Sequence, residues 1–209
     1  MSEATHDLRR LADLAASLRP RFAPEKPLPR LIFVTDPVRT PDPEAIAARL
    51  PAGSAVIFRA FGAADAGARA AKLRVITTDR SLSLLIGADA DLAATCGADG
   101  VHLPERALAD APVLRSHFPH WTITSAAHSL EAARAALQAG CDAVLASTVF
   151  ASGSASAGTP MGAEGFTAFV AASPLPVYAL GGVNVRTAPE LVGSGAAGFA
   201  MVEGLALSA

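Results

Sequence analysis

Eight short apolar runs, separated by Ala-rich amphipathic segments, limit what this chain can fold into more than any other feature. They cover residues 31–35, 55–59, 83–86, 100–103, 122–125, 143–146, 177–180 and 198–202. Most are continuously apolar rather than alternating, the pattern of strands covered on both faces in a parallel sheet. Between them, helix-like patterns fall at 43–50, 64–73, 90–96, 108–117, 129–139, 163–172 and 187–194. Eight strands alternating with helices in 209 residues point to a closed (β/α)8 TIM barrel rather than an open doubly wound sheet. Three phrases, Cys96-Gly97-Ala98-Asp99-Gly100-Val101, Ala139-Gly140-Cys141-Asp142-Ala143-Val144 and Ser194-Gly195-Ala196-Ala197-Gly198-Phe199, share one corner design. A helix ends, glycine supplies a left-handed cap, and a short turn enters the next strand.

The two ends depart from a regular barrel. Few residues follow the eighth run, so the eighth helix is expected to be missing or truncated. Leu8, Leu11, Ala12, Ala15 and Leu18 form an apolar stripe at helical spacing. An extra helix there is expected to fill the place of the eighth, or to cover the barrel bottom. Residues 1–29 then read as an N-terminal helix and Pro-rich linker, and 30–209 as one barrel domain.

Composition narrows the function classes. The formal net charge is −2, and 5% of residues are aromatic against 51% hydrophobic. No basic stripe and few stacking aromatics suit nucleic acid, and no apolar run is long enough for a membrane span. The N-terminal residues lack the apolar core of a signal peptide, which fits a soluble cytoplasmic protein. Cys96 and Cys141 form no C-x-x-C pair and read as small buried apolar side chains.

In a TIM barrel the chemistry lies at the C-terminal strand ends. Those ends deliver Thr35-Asp36, Arg59, Gly87-Ala88-Asp89, His102 with Glu105, Ser125 with His128, a long loop containing Ser152, Ser154 and Gly162, then Gly181-Gly182, and Val202-Glu203-Gly204. Loops after the seventh and eighth strands commonly bind phosphate, and glycine lets the backbone approach an anion closely. Gly181, Gly182, Val202, Glu203 and Gly204 are therefore candidate phosphate-binding residues, and Arg59 at the second strand end is a candidate substrate- or phosphate-binding residue. Glu203 would repel a phosphate unless it points away. His128 precedes a helix that Ser129 would cap, and histidine can pass protons near neutrality. No metal motif is evident, and neither a Walker loop nor a dinucleotide fingerprint occurs.

In this order the motifs become recognisable. The chain resembles the thiamine phosphate synthase / thiazole tautomerase (TenI) family of (β/α)8 barrels. The resemblance rests on Leu31-Ile32-Phe33-Val34-Thr35-Asp36, Asp91-Leu92-Ala93, Gly97-Ala98-Asp99-Gly100-Val101-His102-Leu103, Ala127-His128-Ser129-Leu130-Glu131-Ala132-Ala133, Val149-Phe150, and Pro176-Val177-Tyr178-Ala179-Leu180-Gly181-Gly182-Val183. The synthase joins a pyrimidine pyrophosphate to a thiazole phosphate with Mg²⁺ on the pyrophosphate. Where it has Gln-x-Arg-x-Lys, this chain has Ile57-Phe58-Arg59-Ala60-Phe61, keeping only the arginine. For Asn-Asp-Arg it has Gly87-Ala88-Asp89, and for His-Leu-Gly-Gln-x-Asp it has His102-Leu103-Pro104-Glu105-Arg106-Ala107. For Thr-x-Thr-Lys it has Ser152-Gly153-Ser154-Ala155. Both metal carboxylates and both lysines of the pattern are thus replaced.

The resemblance accordingly implies a small phosphorylated heterocycle of the thiazole phosphate type as partner, with a homo-oligomer compatible. The favoured expectation is TenI-like proton transfer with His128 catalytic and no cofactor. One alternative is a divergent synthase, for which Mg²⁺ would be expected. The other is a non-catalytic phosphate-binding barrel.

Overall fold

The computed structural model describes residues 3–22, 26–153 and 158–205. Eight parallel strands close into a barrel in sequence order: β1 (Leu31–Val34), β2 (Ala55–Phe58), β3 (Ser83–Gly87), β4 (Gly100–Leu103), β5 (Thr122–Ala127), β6 (Ala143–Ala146), β7 (Val177–Ala179) and β8 (Gly198–Met201). Closure is made by β8 on β1, with Leu31 opposite Phe199, Ile32 opposite Ala200 and Phe33 opposite Met201. The expected (β/α)8 fold is observed.

The period-2 alternation of a strand sorts the side chains into two cores. Ile32, Val34, Ala55, Ile57, Leu85, Ala143, Leu145, Tyr178 and Ala200 pack inside the barrel. The alternate positions, such as Phe33, Val56, Leu84, Val101, Ile123 and Phe199, pack outward under the helices. Tyr178 is the largest side chain of this inner set, and its hydroxyl donates to the Pro29 carbonyl at 2.7 Å. Gly198 makes room for it. A Cβ there would stand 2.7 Å from the Tyr178 ring and 2.4 Å from the Arg30 carbonyl oxygen.

The helices are α1 (Glu3–Ser17), α2 (Pro43–Ala47), α3 (Ala66–Asp79), α4 (Ala90–Thr95), α5 (Ala111–His117), α6 (Leu130–Gln138) and α7 (Gly162–Ala172). Helix α3 runs six residues past the pattern at 64–73. There the Thr77 and Thr78 hydroxyls donate back to the Arg74 carbonyl, and Arg74 ion-pairs with Asp99. Polar anchoring therefore extends a helix that apolar spacing alone ends early. The segment expected at 187–194 is only a 3-10 turn, Ala188–Leu191, with Pro189 at its start. Cys141 is buried as expected, but Cys96 is only half-buried.

Helix α1 packs where a TIM barrel places its last helix. Leu11, Ala15 and Leu18 are buried in the outer core beside Phe33 and Phe199. The helix contacts the 3-10 turn after β7, and Thr5 receives a hydrogen bond from Arg49, just past α2. Arg21 then ties the connection down by donating from its backbone to the Gly195 carbonyl and from its side chain to the Ser173 carbonyl. Past β8, the last described element is the 3-10 turn Glu203–Leu205.

If α1 is part of the barrel, truncating its fully buried leucine has a core-sized cost. Leu11→Ala is expected to lower the unfolding free energy by about 2–5 kcal/mol in urea titration. An unchanged midpoint would mean that the helix is an appendage.

Candidate functional site

Arg59 is the first candidate side chain that the barrel sets in place. It continues the inward alternation of Ala55 and Ile57. Gly87 at the end of β3 leaves space beneath it: a Cβ there would lie 3.0 Å from the Arg59 Cγ. Arg59 donates from its backbone to Thr35 Oγ1 at 2.9 Å and from Nε to the Thr35 carbonyl at 2.7 Å. Its Nη2 reaches Asp36 Oδ2 at 3.2 Å. Burial weighs against its charge, the Asp36 carboxylate supports it, and the neighbouring Arg39 adds to the opposition.

Asp36 sits in a turn that closes on itself. Its Oδ1 accepts the backbone N–H groups of Val38 and Arg39, and its own N–H donates to Thr40 Oγ1. Its Oδ2 also accepts from Arg39 Nη2 at 3.1 Å. Burial opposes the Asp36 charge. The hydrogen bonds from Arg39 and the backbone outweigh it and hold the carboxyl below its usual range. An aspartate that bonds the backbone shortly after itself is a standard turn former. That turn aims Arg39 at the barrel mouth.

At the C-terminal strand ends lies a cavity of about 350 Å³. Its lining comes from one side of the barrel: Val34 on β1, Arg59 after β2, Ser147 after β6, Leu180 to Asn184 after β7, and Met201 to Gly204 around the end of β8. Arg39, Arg186 and the loop residues Thr148, Ala151, Ser152 and Gly153 complete it. Gly181, Gly182, Val202, Glu203, Gly204, Arg59 and Ser152 are thus brought together. Gly162 lies apart from the lining, at the start of α7, where its N–H donates to the Val149 carbonyl. Ser154 falls outside the described residues.

The glycines are required first by loop packing. Gly182 has φ +65°, and a Cβ would come within 2.4 Å of the Ala151 carbonyl oxygen and 2.7 Å of the Phe150 Cβ. Gly204 would meet the Val183 carbonyl oxygen at 2.4 Å. The loops after β6, β7 and β8 therefore interlock through absent side chains. A second consequence is chemical. Among the described residues, the backbone N–H groups of Gly181, Gly182 and Val183 have no hydrogen-bond acceptor, while their residues line the cavity. Unpaired amides with a guanidinium beside them suit an anion. Glu203 lines the cavity too, and its carboxylate lies 3.7 Å from Arg39.

His128 is not among the cavity-lining residues. It follows β5, across the mouth, and its Nδ1 lies 2.9 Å from Glu105 Oε2. Ser129 caps α6 by accepting the Ala132 N–H, as the sequence suggests. His102 is buried inside the barrel with Nδ1 3.0 Å from Thr124 Oγ1.

The carboxylates near the mouth are already engaged. Asp36 holds two guanidiniums, Glu105 holds His128, and Asp89 caps α4 by accepting the Leu92 N–H at 2.8 Å. No group of three or more His, Cys, Asp or Glu side chains could hold a metal ion among the described residues. These residues do not fit a divalent-metal site of the kind a synthase resemblance implies.

Sequence reasoning missed Arg39, Arg186 and Ser147. Arg39 and Arg186 each follow a turn-forming residue. Asn184 Oδ1 accepts the Arg186 N–H just as Asp36 accepts that of Arg39. The pattern Asx-x-x-Arg or Asx-x-Arg after a strand was the available signal.

Comparisons with known proteins bear on the whole barrel. The thiamine monophosphate synthase family profile matches residues 31–205. The chain is 34% identical over 131 residues to "Putative thiamine-phosphate synthase 2" of Aquifex aeolicus, covering 63% of this chain and 70% of that protein. It is 32% identical over 132 residues to the thiamine-phosphate synthase of Moorella thermoacetica, covering 62% of each. The match thus spans about three fifths of the Moorella protein's length. Among solved structures, thiamine phosphate pyrophosphorylase from Pyrococcus furiosus superposes with a TM-score of 0.72 at 25% identity, covering 90% of this chain and 87% of that one. No described helix is long and apolar enough to cross a membrane.

The buried imidazole generates a pH prediction. Burial, with the Arg59 charge added, lowers the His102 pKa to about 4. An unfolded histidine titrates near ~6.5, so between these values the unfolded state binds more protons. Stability is complete above that range and falls as pH drops through it. Wild type is expected to lose roughly 3 kcal/mol more than His102→Gln between pH 7 and pH 4, measured by urea unfolding. Parallel curves for the two proteins would contradict the assignment.

Proposed function

The chain belongs to the thiamine monophosphate synthase family, and we propose that it acts in thiamine biosynthesis as a divergent thiamine-phosphate synthase. On this reading it joins a pyrimidine pyrophosphate to a phosphorylated thiazole and releases pyrophosphate. The observation that carries it is the cup after β7 and β8. The Gly181, Gly182 and Val183 amides, without an acceptor among the described residues, share one cavity with the Arg59 guanidinium. A phosphate seated there would place the attached small ring over the mouth, where Val34 and Leu180 supply apolar surface. The synthase names of the Aquifex and Moorella relatives support transfer chemistry in particular.

A second reading, thiazole tautomerase-type proton transfer, has one observation in its favour. Glu105 Oε2 lies 2.9 Å from His128 Nδ1, and with the proton on Nδ1 the basic ring nitrogen is Nε2. Against it stands the position of that pair outside the cavity lining. Both readings use the same phosphate cup, so ligand binding alone does not separate them.

Product formation does separate them. Purified protein given the thiazole phosphate and the pyrimidine pyrophosphate is expected to make thiamine phosphate, and the gene to complement a synthase-deficient strain. Gly182→Ala, which forces the loop after β7 away from Ala151, should raise KM for the thiazole at least tenfold. His128→Ala should change the synthase rate less than about threefold. Absence of thiamine phosphate, together with His128-dependent conversion of a thiazole carboxylate phosphate, would replace the synthase reading with the tautomerase one.

A further inference from the structure

We propose that Arg39 and Arg186 complete, with Arg59, a guanidinium clamp for a diphosphate-class anion that binds without a divalent cation, and that Glu203 is the counter-ion this anion displaces. The proposal deepens the synthase reading and rests on it for the identity of the diphosphate as a leaving group.

A diphosphate carries several negative charges in a small volume, and departure of such a group needs positive charge fixed in advance. The carboxylates that might gather a metal at this mouth are spent on other partners: Asp36 on arginines, Glu105 on His128, and Asp89 on the cap of α4. The positive charge that does line the cavity belongs to Arg39, Arg59 and Arg186. They come from the loops after β1, β2 and β7, which with β8 form one unbroken arc of the closed sheet.

This cluster is undercompensated. Three guanidiniums face two carboxylates, and one of those, Asp36, is shared by Arg39 and Arg59 through the same oxygen. Arg186 has no side-chain partner among the described residues, although Asn184 holds its backbone in place. The Arg39–Glu203 pair, at 3.7 Å, is too long for a hydrogen bond. Arg39 is 17% exposed and Glu203 is 56% exposed. The cation is therefore held in the wall by Asp36, while its carboxylate partner is half in water and can turn away. An arriving diphosphate can offer short, bidentate contacts that Glu203 does not make.

Titration calorimetry with inorganic pyrophosphate in EDTA tests this directly, with thermal melts confirming that each variant folds. Wild type is expected to bind, with less than a twofold gain on adding Mg²⁺, and more tightly than it binds orthophosphate. Arg186→Met, at an exposed position, should weaken binding about tenfold. Arg39→Lys, which keeps the charge and loses the fork, should weaken it several-fold. Glu203→Gln should tighten it several-fold. Binding that requires Mg²⁺, indifference to Arg186→Met, weaker binding by Glu203→Gln, or equal affinity for orthophosphate would each overturn the clamp. The synthase reading fails separately. Pyrophosphate bound as described, with no affinity for the thiazole phosphate, would keep the clamp and discard that reading.

Discussion

Everything in this protein depends on how little room there is inside the barrel. Closure of β8 on β1 holds only if inward positions are small, and the sequence meets that demand with Ala55, Ala143, Ala200 and glycines at 100 and 198. One large ring, Tyr178, fills the lower interior because Gly198 yields to it. The same rule continues upward. Gly87 yields to Arg59, and Gly181, Gly182 and Gly204 yield to neighbouring loops. The low aromatic content of the chain is thus a packing requirement rather than a sign of a weak core, and the site is the upper end of that packing pattern.

From this constraint follows the lopsided mouth. Loops after β6, β7 and β8 interlock through their glycines, and those after β1 and β2 are tied by the Thr35, Asp36 and Arg59 network. The cavity belongs to that arc, which supplies the lining arginines Arg39, Arg59 and Arg186. The other side, after β4 and β5, carries the His128–Glu105 pair in water. Neither His128 nor Glu105 lines the cavity. The family match covers the barrel, and the lining arginines lie on one arc of it.

The strands were legible because burial on both faces leaves continuous apolar runs, and all eight appear where those runs lie. The substitute helix was legible from its stripe, since Leu11, Ala15 and Leu18 all face the core. Helix α3 was read too short because its last turns are held by Thr77, Thr78 and Arg74, whose polar bonds leave no hydrophobic period. The glycine cup and Arg59 were legible from their place at strand ends. Arg39 and Arg186 were not, because only the hydrogen bonds of Asp36 and Asn184 turn those loops inward. His128 was legible as a residue at the barrel mouth but not as one outside the cavity lining, because a sequence shows which strand a residue follows and not which arc of the mouth the cavity occupies.

The central claim is that phosphate is held on the arc from β6 to β2, by the amides after β7 and the arginines facing them. A crystal structure of the protein with a thiazole phosphate bound tests it most directly. The account predicts phosphate oxygens within hydrogen-bond distance of the Gly182 or Val183 N–H and of the Arg59 guanidinium. A phosphate seated instead beside His128 and Glu105, with the arc from β6 to β2 empty, would contradict it.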